Sequence, residues 1–333
     1  MNMSQHRVII DCDPGHDDFA AIALAAQSKS IQIEAIIAVN GNAPLSHTVR
    51  NALSIAAALD LDCPVHAGAE LPFLHRYAYP TEFHGETGLD SSGAMLPNHD
   101  RGAEQRHGAL EIIQRVRAAP GEITIVALGP MTDIALALTL DPGIAPLVRE
   151  IVFMGGALSG GNVTSQAEFN IWADPHAAAI VLAAGVRTTM FGLDVTNRAW
   201  LTMDELASLR EGVDTPNPLA DILQFYAEGS GDVRAGRTPG PALHDPCPIA
   251  WLIQPELFEV EALPVSVCCT TGDHFGTTYS DRRAWRDEAA PTISVATGID
   301  RDGFAGLLTP ALHMAAKQIA EKTQLPCTQS NGG

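Results

Sequence analysis

Short β-branched runs alternate with longer Ala- and Leu-rich segments through much of the chain, and no other feature narrows the fold so far. RVIID (7–11) is followed by DDFAAIALAAQS (17–28), IQIEAIIAV (31–39) by SHTVRNALSIAAALD (46–60), and PVHAG (64–68) comes next. The alternation resumes with EITIVAL (122–128), MTDIALALTL (131–140), EIVFMGG (150–156), DPHAAAIVLAAG (174–185) and RTTMFGLD (187–194). Strands this apolar, each followed by a helix, predict an α/β fold: an open, mostly parallel sheet with helices on both faces. From about Trp200 helical patterns dominate, followed by LPVSVCC (263–269), PTISVATGI (291–299) and a final helix near Gly303 to Lys322. No repeat or linker interrupts the pattern, and 333 residues that are 46% hydrophobic can bury one large core, so a single domain over 1–333 is expected. The exception is Leu71 to Arg106, irregular and long for a loop. Such stretches are usually functional or flexible, and a lid over the site is one reading.

Charge excludes several partners. Twenty Lys and Arg against 39 Asp and Glu give a net charge of −19, a field that repels nucleic acid polymers and anionic membranes. The N-terminus runs straight into a strand without the basic and apolar regions of a signal peptide, and no apolar stretch is long enough to span a bilayer, so a cytoplasmic protein is expected. The six cysteines show no C-x-x-C spacing, which argues against a zinc site or disulfide framework and for buried thiols.

In open parallel sheets, ligands sit outside the carboxyl ends of the strands. The unusual residues of this chain all fall there: DCDPGHDD (11–18), NGN (40–42), GPMTD (129–133) and MGG (154–156). Any one aspartate has an ordinary explanation. Asp17 and Asp18 open a helix and could cap it, and Asp11 could bond the backbone at a strand end. As a set they repel one another and must take up protons unless a cation joins them. Oxygen donors without His/Cys metal spacing select a hard ion, Ca²⁺ or Mg²⁺. HDPC (244–247) adds Asp245 at another predicted helix start, where cap and ligand are equally good readings. Asn162, Glu168 and Asn170 form a polar segment after the MGG loop.

With these residues in view, the chain resembles the inosine-uridine family of nucleoside N-ribohydrolases over nearly its whole length. DCDPGHDD is highly specific, and HGETGLD (84–90), ALGPMTDIA (127–135), FMGGA (153–157), AEFNIWADP (167–175) and HDPC follow in the family's order. The resemblance implies hydrolysis of the bond between ribose and a nucleobase, with a bound Ca²⁺ that holds the attacking water and the ribose 2′- and 3′-hydroxyls. Asp13, Asp18, the carbonyl of Thr132 and Asp245 match the metal ligands, and Asp13 also matches the general base. Asp17, Asn42 and Asn170 match residues that grip the sugar and support the water. Asn162 and Glu168 match the 5′-hydroxyl pair, and Met154 matches a ribose-packing residue. His84 matches a loop histidine near the nucleobase, and His244 a candidate for assisting its departure. A homodimer or homotetramer is implied, acting on free ribonucleosides.

The chemistry agrees with that assignment. Cleaving an N-glycosidic bond develops an oxocarbenium-like sugar, so an acidic pocket, an activated water and help for the departing base are all useful. Three departures from the family pattern stand out. Asp133 occupies a position that is commonly Asn, although the implied ligand there is the Thr132 carbonyl. His176 replaces a usual Glu. The run after Tyr226, AEGSGDVRAGRTPGPAL (227–243), does not match the aromatic-bearing segment that shapes base preference. With His16 in DCDPGHDD, and with His244, the chain resembles the pyrimidine-preferring and inosine-uridine members more than the purine-specific ones. Two other classes would use a similar corner. Haloacid dehalogenase-type phosphatases open with Asp-x-Asp and bind Mg²⁺, but no Lys-bearing phosphate motif is evident downstream. A non-catalytic nucleoside- or ribose-binding protein would share the platform.

Overall fold

The computed structural model describes residues 5–77, 79–213, 216–283 and 292–324. Its strands are β1 (His6–Cys12), β2 (Ile31–Ala38), β3 (Val65–Ala67), β4 (Ile123–Ala127), β5 (Glu150–Met154), β6 (Thr188–Phe191), β7 (Phe258–Leu263), β8 (Val265–Val267), β9 (Thr278–Ser280) and β10 (Ile293–Ile299). Eight of them form one sheet in the order β3-β2-β1-β4-β5-β6-β10-β7, parallel except for β7. Both faces are covered, as expected. One buried cluster joins the sheet to the helices His16–Gln27, Leu45–Ala58, Pro218–Gly229, Pro246–Ile253 and Arg301–Gln324. The other joins it to Gly108–Ala118, Thr132–Leu140 and Pro175–Ala183.

The strand order places the site. The chain goes from β1 outward through β2 and β3, then returns to add β4 on β1's other side. The loops after β1 and β4 therefore leave in different directions, and a crevice opens between them at the carboxyl edge. DCDPGHDD lies in that crevice.

Two features of the late part of the chain were not read from the sequence. Of LPVSVCC, only Leu263 belongs to the main sheet, as the last residue of β7, while Val265–Val267 pairs with β9 in a separate antiparallel hairpin. The edge of the sheet is instead β7, whose FEVEAL reads poorly as a core strand because Glu259 and Glu261 face solvent beside β10. The expectation of buried thiols holds for Cys12, Cys63 and Cys247, while Cys268 and Cys269 are half-buried. Cys327 lies outside the described residues. Among the described residues, no helix is long and apolar enough to cross a membrane.

Candidate active site

Asp13 leaves the end of β1 between two glycines. A Cβ on Gly41 would stand 1.9 Å from Asp13 Oδ2, and one on Gly129 would stand 2.4 Å from Oδ1. Only glycine lets the backbones after β2 and β4 come this close. The backbone N–H of Asn42 donates to Asp13 Oδ2 (2.7 Å), and its side-chain amide donates to the Asp13 carbonyl (3.2 Å), while Oδ1 has no partner among the described residues.

Asp18 and Asp245 separate the capping and ligand readings. Asp18 does cap: its Oδ2 accepts from the Gly15 N–H (2.9 Å), but its Oδ1 is buried and unpartnered. Asp245 occupies the cap position of Pro246–Ile253 and makes no side-chain capping bond. Its carboxylate instead joins those of Asp17 and Asp18, with an oxygen from each within 4.8 Å of the others. All three are buried. At that spacing each ionised pair would repel by about 3 kcal/mol at an effective dielectric near 20. A helix N-terminus returns only about 0.3–1 kcal/mol per charge. No Lys or Arg ion-pairs with Asp13, Asp17, Asp18 or Asp245 among the described residues. Burial first, then mutual repulsion, pushes Asp13 and Asp245 well above the usual carboxylate range and Asp18 up to about 7. Without a cation the cluster favours taking up protons; with one, the unpartnered Oδ1 of Asp13 and of Asp18 are ready ligands.

Behind this cluster lies a second pair. Asp11 does not take the ordinary reading of a strand-end residue bonded to the backbone: both its oxygens are buried without a partner among the described residues, and its charge opposes that of Asp133. Burial and that opposition raise Asp11 well above its ordinary range, and burial lifts Asp133 to about 7 although its Oδ2 accepts from the Ala69 N–H (2.9 Å). Thr132, buried at the start of its helix, donates from Oγ1 to Asp174 Oδ2 (2.9 Å), which also accepts from the Phe73 N–H (3.0 Å). Asp174 thus ties the helix after β4 to the start of the Leu71–Arg106 stretch, a role its DP spacing did not suggest.

Asn170 and Met154 come together at the ends of β4 and β5. The Asn170 amide donates to the carbonyls of Leu128 (2.7 Å) and Met154 (3.2 Å), and lies 3.5 Å from Met154 Sδ. Glu168 is committed to the backbone. Its Oε1 accepts from Asn170 N (2.8 Å) and its Oε2 from Gly156 N (2.7 Å) and Ile171 N (3.1 Å), although burial still lifts its pKa to about 7. Asn162 is exposed, and its Oδ1 accepts from Phe169 N (2.9 Å). The two residues expected at the ribose 5′-hydroxyl therefore meet at the start of one short helix, with acceptors already engaged.

Above the aspartates lies a layer of rings largely missed in the sequence. His16 stacks between Phe225 (5.5 Å) and Tyr226 (5.4 Å), and His84 lies over Tyr226 (5.7 Å). Phe225 and Tyr226 belong to Pro218–Gly229, just ahead of the run that does not match the family's aromatic-bearing segment. The Asp90 carbonyl can only accept, so His16 Nε2–H donates to it (2.9 Å). His16 Nδ1 is then the acceptor for His84 Nδ1–H (3.2 Å), which leaves His84 Nε2 as an acceptor. Burial, with His84 nearby, drops His16 to about 3; burial also lowers His84 and His244, opposed in both by Asp17. His244 Nδ1 is bonded to Thr196 Oγ1 (2.8 Å). On the other flank Tyr77 accepts at its hydroxyl from the Asn40 amide (3.2 Å) and packs edge-on to Phe169. His176 packs against Phe275 at the outer rim of this second group of rings.

A glycine-bracketed carboxylate, a buried acidic cluster and a ring-lined roof at the crevice of an α/β sheet accord with a sugar-cleaving hydrolase. The chain belongs to the inosine-uridine preferring nucleoside hydrolase family, which it matches over residues 8–306. It is similar to RihB, the pyrimidine-specific ribonucleoside hydrolase of Shigella sonnei, at 38% identity over 307 residues, covering 92% of this chain and 96% of that one. Among solved structures, a purine-preferring ribonucleoside hydrolase from Gardnerella vaginalis superposes with a TM-score of 0.86 at 32% identity, covering 93% of this chain and 99% of the other. A plant nucleoside hydrolase gives 0.84 at 32%, covering 92% and 99%. The protein is therefore an enzyme that acts on the N-glycosyl bond of ribonucleosides, and the phosphatase and non-catalytic readings fall away.

Proposed function

We propose that the enzyme hydrolyses pyrimidine ribonucleosides and inosine to ribose and free base, with Ca²⁺ in the acidic crevice and Asp13 as general base. The observation that carries the metal is Asp245, which stands at a helix cap without capping and turns its carboxylate to Asp17 and Asp18, beside the orphaned oxygens of Asp13 and Asp18. Asp13, Asp18, Asp245 and the Thr132 carbonyl would hold the ion, and its chemistry there is that of a hard Lewis acid that acidifies water and suits a cis-diol.

The protein's own groups account for the remainder. The Asn42 N–H fixes Asp13 through Oδ2, and the carboxylate so oriented takes the proton of the attacking water. As the C1′–N bond breaks, its electron pair leaves with the base, and the cluster's negative charge favours the developing oxocarbenium ion. Water adds at C1′, its proton passes to Asp13, and the departing base is protonated with help from His244. Asp17, Asn42, Asn170 and Met154 line the ribose. Glu168 and Asn162 serve the 5′ end by shaping that wall, their acceptors being engaged by the backbone. His84 offers Nε2 as an acceptor, which suits the N–H of uracil or hypoxanthine. Preference for pyrimidines is supported by the similarity to RihB and by His16 within the first motif. A single domain is supported by one sheet that draws strands from His6 to Ile299.

The test is elemental analysis of purified enzyme alongside release of reducing sugar from uridine. Ca²⁺ near one equivalent is expected, lost in Asp18→Ala and Asp245→Ala together with activity. Active enzyme without Ca²⁺, or full occupancy in both variants, would overturn the metal assignment.

A further inference from the structure

At the amino edge of the same sheet lies a cavity of about 400 Å³ whose lining includes His6, Ser30, Arg149, Glu150, Arg187 and Trp251. That volume falls in the range of small-molecule sites, about 300–1,000 Å³. Its residues stand at or before the first residues of β1, β2, β5 and β6, and in the helix Pro246–Ile253. Asp13, Asn42 and Met154 stand at or beyond the other ends of β1, β2 and β5. β1, seven residues long, separates the two places by about 20 Å.

The cavity's charge is opposite in sign to the crevice. Arg149 is half-buried and has no ion-pair partner among the described residues. Arg187 is exposed and reaches Glu150, the cavity's one carboxylate, only at 3.7 Å. His6 carries a buried Nδ1 without a partner, and burial together with the Arg149 charge lowers its pKa. Trp251, half-buried, packs against Phe191 and Phe258 on one side and lines the cavity. On a chain of net charge −19, two under-used guanidiniums beside an indole form a local anion site with a flat apolar wall.

We propose that this cavity binds a nucleoside 5′-monophosphate, its phosphate between Arg149 and Arg187 and its base against Trp251. Guanidinium pairs recognise phosphate by charge-assisted hydrogen bonds, and an indole face accepts a heterocycle whatever its edge pattern. The catalytic crevice, lined with carboxylates, disfavours phosphate. The two ends of the sheet would therefore sort the same molecule by whether it carries one.

Isothermal titration of the calcium-loaded enzyme with 2′-deoxyuridine 5′-monophosphate tests this, since loss of the 2′-hydroxyl removes the cis-diol that suits the crevice. One saturable site below about 1 mM is expected, weakened at least about tenfold in Arg149→Gln/Arg187→Gln and unchanged by excess ribose. Turnover of uridine by that double variant should equal the parent's, which also checks its fold. Four outcomes would overturn the proposal: no saturation, binding that survives the arginine substitutions, binding displaced by ribose, or inorganic phosphate or 2′-deoxyuridine binding as tightly as the nucleotide.

Discussion

The floor and the roof of the crevice are built on different principles. Each floor carboxylate is fixed by the backbone or by its neighbours: Asp13 by Asn42 N–H between two glycines, Asp18 by Gly15 N–H, and Asp245 by its place at a helix start. The roof is held by side chains that meet across long sequence separations, His16 with His84 68 residues on and with Asp90 74 residues on, both resting on Phe225 or Tyr226. Backbone hydrogen bonds and close glycine contacts leave a charge little freedom. Stacked rings set a shape that can be repacked.

By this contrast the largest loss comes from the floor. Asp13→Asn should lower kcat on uridine by at least about 10²-fold, the lower end for a lost acid-base group, with an unchanged circular dichroism spectrum. Turnover within severalfold of the parent would mean another residue is the base. Next comes the bracket itself. Gly41→Ala pushes a Cβ to 1.9 Å from Asp13 Oδ2, so kcat should drop at least about tenfold and stability by about 1–3 kcal/mol, the usual cost of overpacking. Wild-type kinetics and melting temperature would show that the loop can give way.

A roof substitution should be milder and selective. His244→Ala is expected to slow uridine and inosine by about tenfold while sparing p-nitrophenyl riboside, whose leaving group departs unaided. Equal losses on all three, together with weaker Ca²⁺ binding, would move His244 to a role in positioning Asp245. The smallest effect is on stability. Asp13, Asp18 and Asp245 have folded-state pKa values above the unfolded ones, Asp18 at about 7, so the metal-free native state binds more protons, and its stability falls as pH rises from the ordinary carboxylate range through the raised values. Chelated enzyme should melt several degrees lower near pH 8 than near pH 5, and saturating Ca²⁺ should flatten that slope. A metal-free melting temperature that rises over this range would contradict it.

The floor was legible in the sequence because its residues follow strands whose apolar runs are unmistakable. What spacing could not decide was orientation. Asp245 before Pro246 reads equally as cap or ligand, and only its missing capping bond separates them. The commitment of both Glu168 oxygens to backbone N–H groups leaves no trace in composition. β7 was missed because an edge strand with Glu on its open face lacks the apolar density of its neighbours. The roof was illegible for the opposite reason: Phe225 and Tyr226 sit in an ordinary amphipathic helix, and nothing local marks the two that turn toward His16.

The two glycines around Asp13 also bear on how such an enzyme could be re-engineered. A combinatorial library at Gly41 or Gly129 would consist almost wholly of inactive clones, because every other residue begins with the atom that does not fit. Diversity spent on His84, Phe225 and Tyr226 leaves that bracket untouched, so the range of accepted bases can be searched while the sugar-cleaving step is inherited intact.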